Sequence, residues 1–103
     1  MVARGEVWWY EDPRVGRRPF LILTRDEAIP VLNQVLAVPA TRTVRGIPTE
    51  VPLGVPDGMP TDCALTLDNV TLVRIALFTD RIIRLRAERM QEVCEALRIA
   101  TAC

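Results

Sequence analysis

The sequence predicts a small, mostly antiparallel β-barrel that ends in one α-helix, an α+β fold in which strands dominate. Three observations predict it. Short runs of apolar, β-branched and aromatic residues are typical of strands, and turn residues separate them about every 8–12 residues. Helical spacing of apolar residues appears only near the C terminus. The length of 103 residues predicts a single domain over residues 1–103.

The first two predicted strands flank a short loop. Residues 4–10 read R-G-E-V-W-W-Y and end at Asp12-Pro13, which is a turn signal. Residues 19–24 read P-F-L-I-L-T, which is apolar enough for a strand buried on both faces. We therefore expect a tight connection between two adjacent strands.

Two adjacent tryptophans, Trp8 and Trp9, lie within the first of these strands. Neighbouring residues on a strand face opposite sides of the sheet, so the two rings must separate. One ring is expected in the core. The other either covers an apolar patch or stacks on a partner or a base.

The third and fourth predicted strands are marked by prolines. Residues 35–38 form the centre of a run over residues 31–43, and Pro39 lies inside that run. Because proline has no N–H to donate, this position predicts an edge, a bulge or a strand end. Residues 47–53 alternate apolar and polar residues, and their prolines also indicate an edge strand.

The rest of the chain predicts three more strands and the helix. A loop over residues 54–62 precedes strands at residues 63–67, 70–75 and 81–85. The C-terminal segment then carries apolar residues at helical spacing, which predicts one stripe over about four turns. The stripe consists of Met90, Val93, Cys94, Leu97 and Ala100.

The charge pattern allows for a polyanion as a partner. The chain has 13 basic and 13 acidic residues and no net charge, and every basic residue is arginine. The codon usage of a GC-rich genome also explains the absence of lysine. Residues 1–49 nevertheless carry a net charge of +2, from seven arginines and five acidic residues. Arginine binds phosphate with a planar fork and stacks on bases, so a local basic groove remains compatible with the neutral total.

The absence of histidine excludes several types of active site. There is no histidine in the chain, so an imidazole acid/base pair, a Ser-His-Asp triad and a Cys-His dyad are all ruled out. Cys63, Cys94 and Cys103 are widely spaced and form no C-x-x-C motif, which argues against a cysteine zinc site. We expect no metal and no cofactor, and we expect each cysteine to be a small buried residue or a free thiol.

The same features predict a cytoplasmic protein. The cysteine count is odd and no signal peptide is evident, which fits a reducing compartment. No apolar run approaches the roughly 20 residues that a membrane span needs.

Several sequence segments occur in a distinctive order along nearly the whole chain. They are R-G-E-V-W, D-P and G-R-R-P-F-L-I-L, then V-P-A-T-R-T-V-R-G-I-P-T-E-V-P-L, M-P-x-D-x-A, D-N-V and M-x-x-V-x-x-A-L. In this order and spacing they resemble the MazF/PemK family of toxin endoribonucleases. The resemblance implies an SH3-like barrel with a C-terminal helix, usually as a homodimer. It also implies a toxin of a bacterial type II toxin–antitoxin pair that cleaves single-stranded RNA.

The resemblance implies two catalytic residues. The family's catalytic arginine precedes the proline of the second strand, which is Arg18 here, and its catalytic hydroxyl ends the third strand, which is Thr41 here. RNA cleavage without a metal can use the substrate's own 2′-OH and leave a 2′,3′-cyclic phosphate and a 5′-OH. A guanidinium and a hydroxyl directed at the phosphate stabilise the charge that develops there. Arg18 is assigned as the oxyanion stabiliser and as a candidate proton donor to the leaving 5′-oxygen.

Six further residues are candidate RNA contacts. Arginine side chains bind phosphates or stack on bases, and an asparagine amide can read a base edge. The alternatives are solvated loop charges for the arginines and a turn-stabilising role for the asparagine. The candidates are Arg14, Arg17, Arg42, Thr43, Arg45 and Asn69.

The chain departs from the family pattern at three places. Many members have a longer first loop with acidic and amide residues, whereas here Gly16 is followed directly by Arg17 and Arg18. The short loop leaves the general base unassigned, although Glu11 and Asp12 are close in sequence. It is expected to open the cleft and to change which bases are read.

The other two departures are single positions. Cys63 replaces a serine, and Thr71-Leu72 replaces an arginine–threonine pair.

The expected partners follow from the resemblance. They are single-stranded RNA, a cognate antitoxin with an acidic tail that folds across the arginine-lined cleft, and a second copy of the chain. The alternative is a non-catalytic toxin or binding module on the same fold, such as a gyrase inhibitor or an RNA-binding barrel.

Overall fold

Seven antiparallel strands and one C-terminal helix form the structure, a computed structural model that describes residues 1–103. The sheet curls into a half-barrel, which confirms the predicted fold class. The strands are β1 (Glu6–Asp12), β2 (Gly16–Ile22), β3 (Gln34–Thr41), β4 (Glu50–Leu53), β5 (Cys63–Thr66), β6 (Thr71–Arg74) and β7 (Phe78–Arg84). The helix α1 spans Ala87–Thr101.

Strand β3 is the centre of the sheet. The strand order is β4-β5-β3-β2-β1-β7, and β6 also pairs with β3. One side of β3 pairs with β2, and the other side pairs first with β6 and then with β5. Pro39 lies between those last two pairings and is buried. The prediction of an edge or a strand end at Pro39 is therefore wrong. A residue without an N–H is accommodated because it lies where β3 exchanges one partner for the next.

Both faces of the sheet are covered, which places two apolar clusters on opposite sides of β2. Leu21 belongs to the larger cluster, which includes Val38, Leu65 and Val93 of the helix. Its neighbours Phe20 and Ile22 belong to a second cluster with Val35 and Val73. This alternation confirms that β2 is buried on both faces, as its continuous apolar run indicates.

Strand ends differ from the predicted ones for local reasons. The first strand begins at Glu6 because Gly5 has a φ of +88°, outside the β region. The fourth strand is confined to Glu50–Leu53, and it is an edge strand as predicted. The last strand begins at Phe78, three residues before the predicted start, where it pairs with Tyr10 of β1.

The helix has the predicted position but a shifted inner face. Val93 and Ala96 are buried, while Cys94 is exposed. The predicted stripe is therefore wrong at Cys94, whose sulfur instead accepts a hydrogen bond from Arg4 at 3.6 Å. Of the other cysteines, Cys63 is buried and Cys103 is exposed, both as free thiols.

A buried carboxylate joins the first and last strands. The Glu6 side chain is 6% exposed, and its Oε2 accepts a hydrogen bond from Arg81 of β7 at 3.0 Å. Its Oε1 accepts bonds from the Ala3 N–H at 2.9 Å and the Trp8 indole N–H at 3.0 Å. Burial alone would raise the pKa of Glu6, but these hydrogen bonds and the charge of Arg81 outweigh it and lower the pKa. The carboxylate is therefore ionised in the native state.

Candidate functional site

The pairing of β2 with β3 brings the two predicted catalytic residues together. Phe20 lies opposite Pro39 in an antiparallel register. Arg18 lies two residues before Phe20 and Thr41 two residues after Pro39, so both lie at the same end of this strand pair. Both residues line one cavity of about 340 Å³ at this end of the sheet.

Four parts of the chain form the cavity wall. β1 contributes one ring and the start of β2 three residues. The end of β3 and the residue that follows it contribute three more, and the segment that leads into β5, with the first residue of that strand, contributes the remaining four. The wall residues are Trp9, Arg17, Arg18, Pro19, Ala40, Thr41, Arg42, Met59, Pro60, Thr61 and Cys63. The cavity therefore forms where the strand ends converge, and its rim carries three arginines.

The three arginines differ in their ionic partners. Arg18 and Arg42 are exposed and make no ion pair. Arg17 pairs with two carboxylates, and its guanidinium carbon lies 4.1 Å from the centroid of the Trp9 ring. Two guanidinium groups on the rim are therefore available for a phosphate, which they recognise through paired N–H donors.

The Thr41 hydroxyl is held close to its own turn. Thr41 is half-buried, and its Oγ1 donates to the backbone carbonyl of Thr43 at 3.2 Å. This bond fixes the hydroxyl proton and leaves the oxygen lone pairs toward other groups. The hydroxyl must rotate before it can donate to a bound anion.

A buried glutamate orders the basic turn between β3 and β4. Glu50 is 7% exposed, and its Oε1 accepts hydrogen bonds from the backbone N–H groups of Arg45 at 2.9 Å and Gly46 at 3.0 Å. Gly46 has a φ of +69°, which favours glycine. Glu50 therefore positions the turn that begins at Arg42. This role was not predicted from the sequence, although Glu50 is the acidic residue of the P-T-E-V segment.

No carboxylate lines the cavity. Glu11 is engaged with Arg17 at 3.5 Å, and Asp12 accepts a hydrogen bond from the Arg14 N–H at 2.8 Å. Neither residue is placed as a general base.

The cysteine in the cavity wall is an unreactive thiol. Burial, together with the charges of Asp62 and Asp57, raises the pKa of the Cys63 thiol. A protonated thiol is a poor nucleophile, so Cys63 fills space in the cavity floor rather than reacting.

Four of the eight candidate site residues meet at the cavity, and four do not. Arg17, Arg18, Thr41 and Arg42 line it. The remaining four are exposed and lie outside its wall; they are Arg14, Thr43, Arg45 and Asn69. Their roles as RNA contacts stay predictions.

The site includes one ring that the sequence left undecided. Trp9 faces the cavity, while Trp8 packs at the edge of the second apolar cluster. The strand register decides between them, because Trp9 pairs with Pro19, the residue after Arg18. Alternation along β1 predicts that the rings separate but does not say which one faces the site.

No group of three or more His, Cys, Asp or Glu side chains has the spacing of metal ligands. No helix has both the length and the apolar character needed to cross a bilayer.

Comparisons with known proteins agree with this fold. Residues 3–101 match the model of a PemK-like, MazF-like toxin family of type II toxin–antitoxin systems. The chain is 45% identical over 102 residues to the probable endoribonuclease MazF5 of Mycobacterium tuberculosis, covering 98% of this chain and 94% of that protein.

Two solved structures have closely similar folds. One is a mycobacterial endoribonuclease in complex with its cognate antitoxin, with a TM-score of 0.88, 26% identity, and coverage of 99% of this chain and 96% of that one. The other is the Mycobacterium tuberculosis toxin MazF-mt6, with a TM-score of 0.85, 30% identity and coverage of 94% and 96%. The match along nearly the whole sequence shows that this chain belongs to the PemK-like, MazF-like family of type II toxin–antitoxin toxins.

Proposed function

We propose that this chain is the endoribonuclease of a bacterial toxin–antitoxin pair and that it cleaves single-stranded RNA in the cavity between β2 and β3. The observation that carries the proposal is that Arg18, at the start of β2, and Thr41, at the end of β3, line one cavity. A guanidinium without a carboxylate partner and a hydroxyl suit a phosphodiester better than a neutral ligand.

The proposed step is an internal transfer at phosphorus. The substrate's 2′-oxygen bonds to the adjacent phosphorus and loses its proton to water. The bond from phosphorus to the 5′-oxygen breaks, and that oxygen gains a proton. The products are a 2′,3′-cyclic phosphate and a 5′-OH.

Arg18 and Thr41 stabilise the charge that develops in this step. The non-bridging oxygens carry more negative charge in the transition state than in the substrate, and hydrogen bonds aimed at them lower the barrier. Arginine keeps its proton at neutral pH. Arg18 therefore donates hydrogen bonds to the phosphate and to the leaving oxygen, and it does not act as the base.

The nucleophile in this mechanism belongs to the substrate, so no metal-bound water is required. Cleavage of mixed RNA by purified protein in excess EDTA tests this point. We expect full activity, with products that carry a 5′-OH and a cyclic phosphate. Products with a 5′-phosphate, or activity that returns only on adding a divalent cation, would contradict the mechanism.

We also propose an antitoxin partner that covers the cavity. The solved relative with its cognate antitoxin motivates this proposal, and the free guanidinium groups of Arg18 and Arg42 favour an acidic segment. Adding the antitoxin encoded beside this gene is expected to inhibit cleavage and to protect Arg18 and Arg42 from hydrogen exchange or chemical labelling. Inhibition without protection at the cavity would place the antitoxin elsewhere.

A homodimer is proposed on the family resemblance, and the sheet offers a candidate contact. Leu36 and Leu72 are cross-strand neighbours on β3 and β6, and they are 46% and 57% exposed. Such an exposed apolar pair is typical of a protein–protein contact. Light scattering should give twice the monomer mass for the wild type and a monomer for Leu72→Glu; a dimer in the variant would place the contact elsewhere.

A further inference from the structure

The pair formed by Arg17 and Trp9 has a different environment from the other cavity arginines. The Arg17 guanidinium lies over the Trp9 ring, at 4.1 Å from the carbon to the ring centroid. Pro19 is the cross-strand partner of Trp9, and Arg17 lies two residues from Pro19 on the same face of β2. The stack is therefore built from the strand pairing itself and forms part of the cavity wall.

Two carboxylates occupy the edge of the Arg17 guanidinium. Its Nε lies 3.5 Å from Glu11 Oε2, and its Nη2 lies 3.9 Å from Asp80 Oδ2. These groups are about half exposed or more, so the ion pairs contribute little to stability. The two carboxylates lie beside the guanidinium and offset part of its positive charge.

Arg17 is therefore poorly suited to a phosphate and well suited to a base. A phosphate bound here would be repelled by the negative charge of the two carboxylates. The outer face of the guanidinium remains open, because the Arg17 side chain is 48% exposed. Single-stranded RNA bases stack on arginine planes and on aromatic rings.

We propose that Arg17, backed by Trp9, is a nucleobase-stacking platform that selects the base next to the cleaved bond, while Arg18 and Arg42 bind the phosphates. This inference rests on the proposed function and adds a division of roles among the cavity arginines. The connection of only three residues between β1 and β2, residues 13–15, leaves the platform uncovered. Because the loop is so short, we expect the base to be contacted by these strand residues rather than by loop residues.

The test measures base dependence separately from phosphate dependence. The probe is a short RNA containing the cleavage sequence found by fragment-end sequencing, with a 2′-deoxy nucleotide at the cleaved position so that it binds without reacting. A matched series carries one abasic nucleotide at each position in turn. Dissociation constants are measured for every probe at several salt concentrations.

For the wild type, we expect the abasic change at one position beside the 2′-deoxy nucleotide to weaken binding by roughly 5- to 100-fold. Arg17→Lys keeps the charge and loses the plane, so it should abolish this difference while leaving the salt dependence unchanged. Trp9→Ala should have the same effect. Arg25→Lys is the matched control, since Arg25 is exposed and lies outside the cavity wall, and it should behave as wild type.

Two outcomes would overturn the inference and leave the proposed function intact. Base dependence retained in Arg17→Lys would show that the plane does not stack. Equal weakening of intact and abasic probes by Arg17→Ala, with a salt slope lowered by about 0.7, would identify a phosphate contact. A wild-type protein that binds none of the probes would instead refute the proposed function itself. Circular dichroism confirms that each variant is folded before its affinity is interpreted.

Discussion

The two ends of the sheet use arginine in opposite ways. At one end, Arg81 donates a hydrogen bond to the buried carboxylate of Glu6. This carboxylate also accepts hydrogen bonds from the Ala3 backbone N–H and the Trp8 indole N–H. At the other end, Arg18 and Arg42 line an open cavity and have no acidic partner. The comparison teaches that the partner, not the residue type, separates a structural arginine from a candidate ligand-binding one. Mutations at the two ends should therefore affect different properties.

The largest expected effect is on activity, at Arg18. Arg18→Ala removes a donor aimed at the developing charge, and losses of about 10²–10³-fold in kcat are typical of such a group. Because Arg18 is exposed and makes no ion pair, the melting temperature should change by no more than a few degrees. Single-turnover cleavage and thermal unfolding measure the two properties. A variant that loses stability rather than activity would reverse the proposed contrast between the two ends.

The next effect is on stability, at Glu6. Glu6→Gln removes the charge from three buried hydrogen bonds and should cost about 2 kcal/mol in the free energy of unfolding. Cleavage per folded molecule should stay at the wild-type level, since Glu6 lies outside the cavity. Glu95→Gln is the control, because its ion pair with Arg98 is exposed. If Glu95→Gln lowered the free energy of unfolding as much as Glu6→Gln does, burial of the Glu6 carboxylate would not be the cause.

Glu6 also gives a pH prediction. Its folded-state pKa lies below the ordinary value of 4.5, so its contribution is present above that value and is lost as the pH falls through the folded-state pKa. The unfolding free energy of the wild type should decline below about pH 4.5, and Glu6→Gln should decline less steeply. Urea titrations at several acidic pH values measure both slopes. If the unfolding free energies of the wild type and Glu6→Gln declined in parallel, other carboxylates would be the cause of the acid destabilisation.

A smaller effect on both properties is expected at Glu50. Its side chain accepts two backbone N–H bonds in the turn that follows Arg42. Glu50→Ala should destabilise the fold by about 1–2 kcal/mol and raise KM more than it lowers kcat, because the turn loses its order. Steady-state kinetics on a short RNA separate the two parameters. A pure loss of kcat would indicate a direct catalytic role.

The smallest effect is expected at Arg42. Arg42→Ala should weaken RNA binding several-fold and lower the salt slope by about 0.7, as the loss of one phosphate contact does. Arg25→Ala is the control, since Arg25 is exposed and lies outside the cavity wall. Equal slopes for the two variants would indicate nonspecific attraction rather than a contact at Arg42.

The sequence predicted the elements better than their contacts. Apolar runs and turn residues located seven strands and the helix, because these signals act over a few residues. Pro39 was expected at an edge, a bulge or a strand end, because the partner exchange of β3 depends on β5 and β6, which follow it in the chain. Cys94 was placed inward because its spacing fits the stripe, but only the docking angle of the helix decides which side is covered.

The same limit applies to the site. Arg18 and Thr41 were predicted from the family motif, and both line one cavity in the fold. Trp9 remained undecided because its face depends on the pairing with Pro19. The roles of Glu6 and Glu50 were not predicted, since their partners are fixed by three-dimensional packing and include backbone groups that carry no sequence signal.

A double-mutant cycle tests most directly whether Arg18 and Thr41 act on the same phosphate. Thr41→Val removes the hydroxyl at nearly constant volume and should slow single-turnover cleavage by about 10-fold or more. If both groups stabilise one transition state, the double variant should be no more than a few-fold slower than Arg18→Ala alone. Losses that multiply in the double variant would mean that the two residues act independently, and would contradict a shared site.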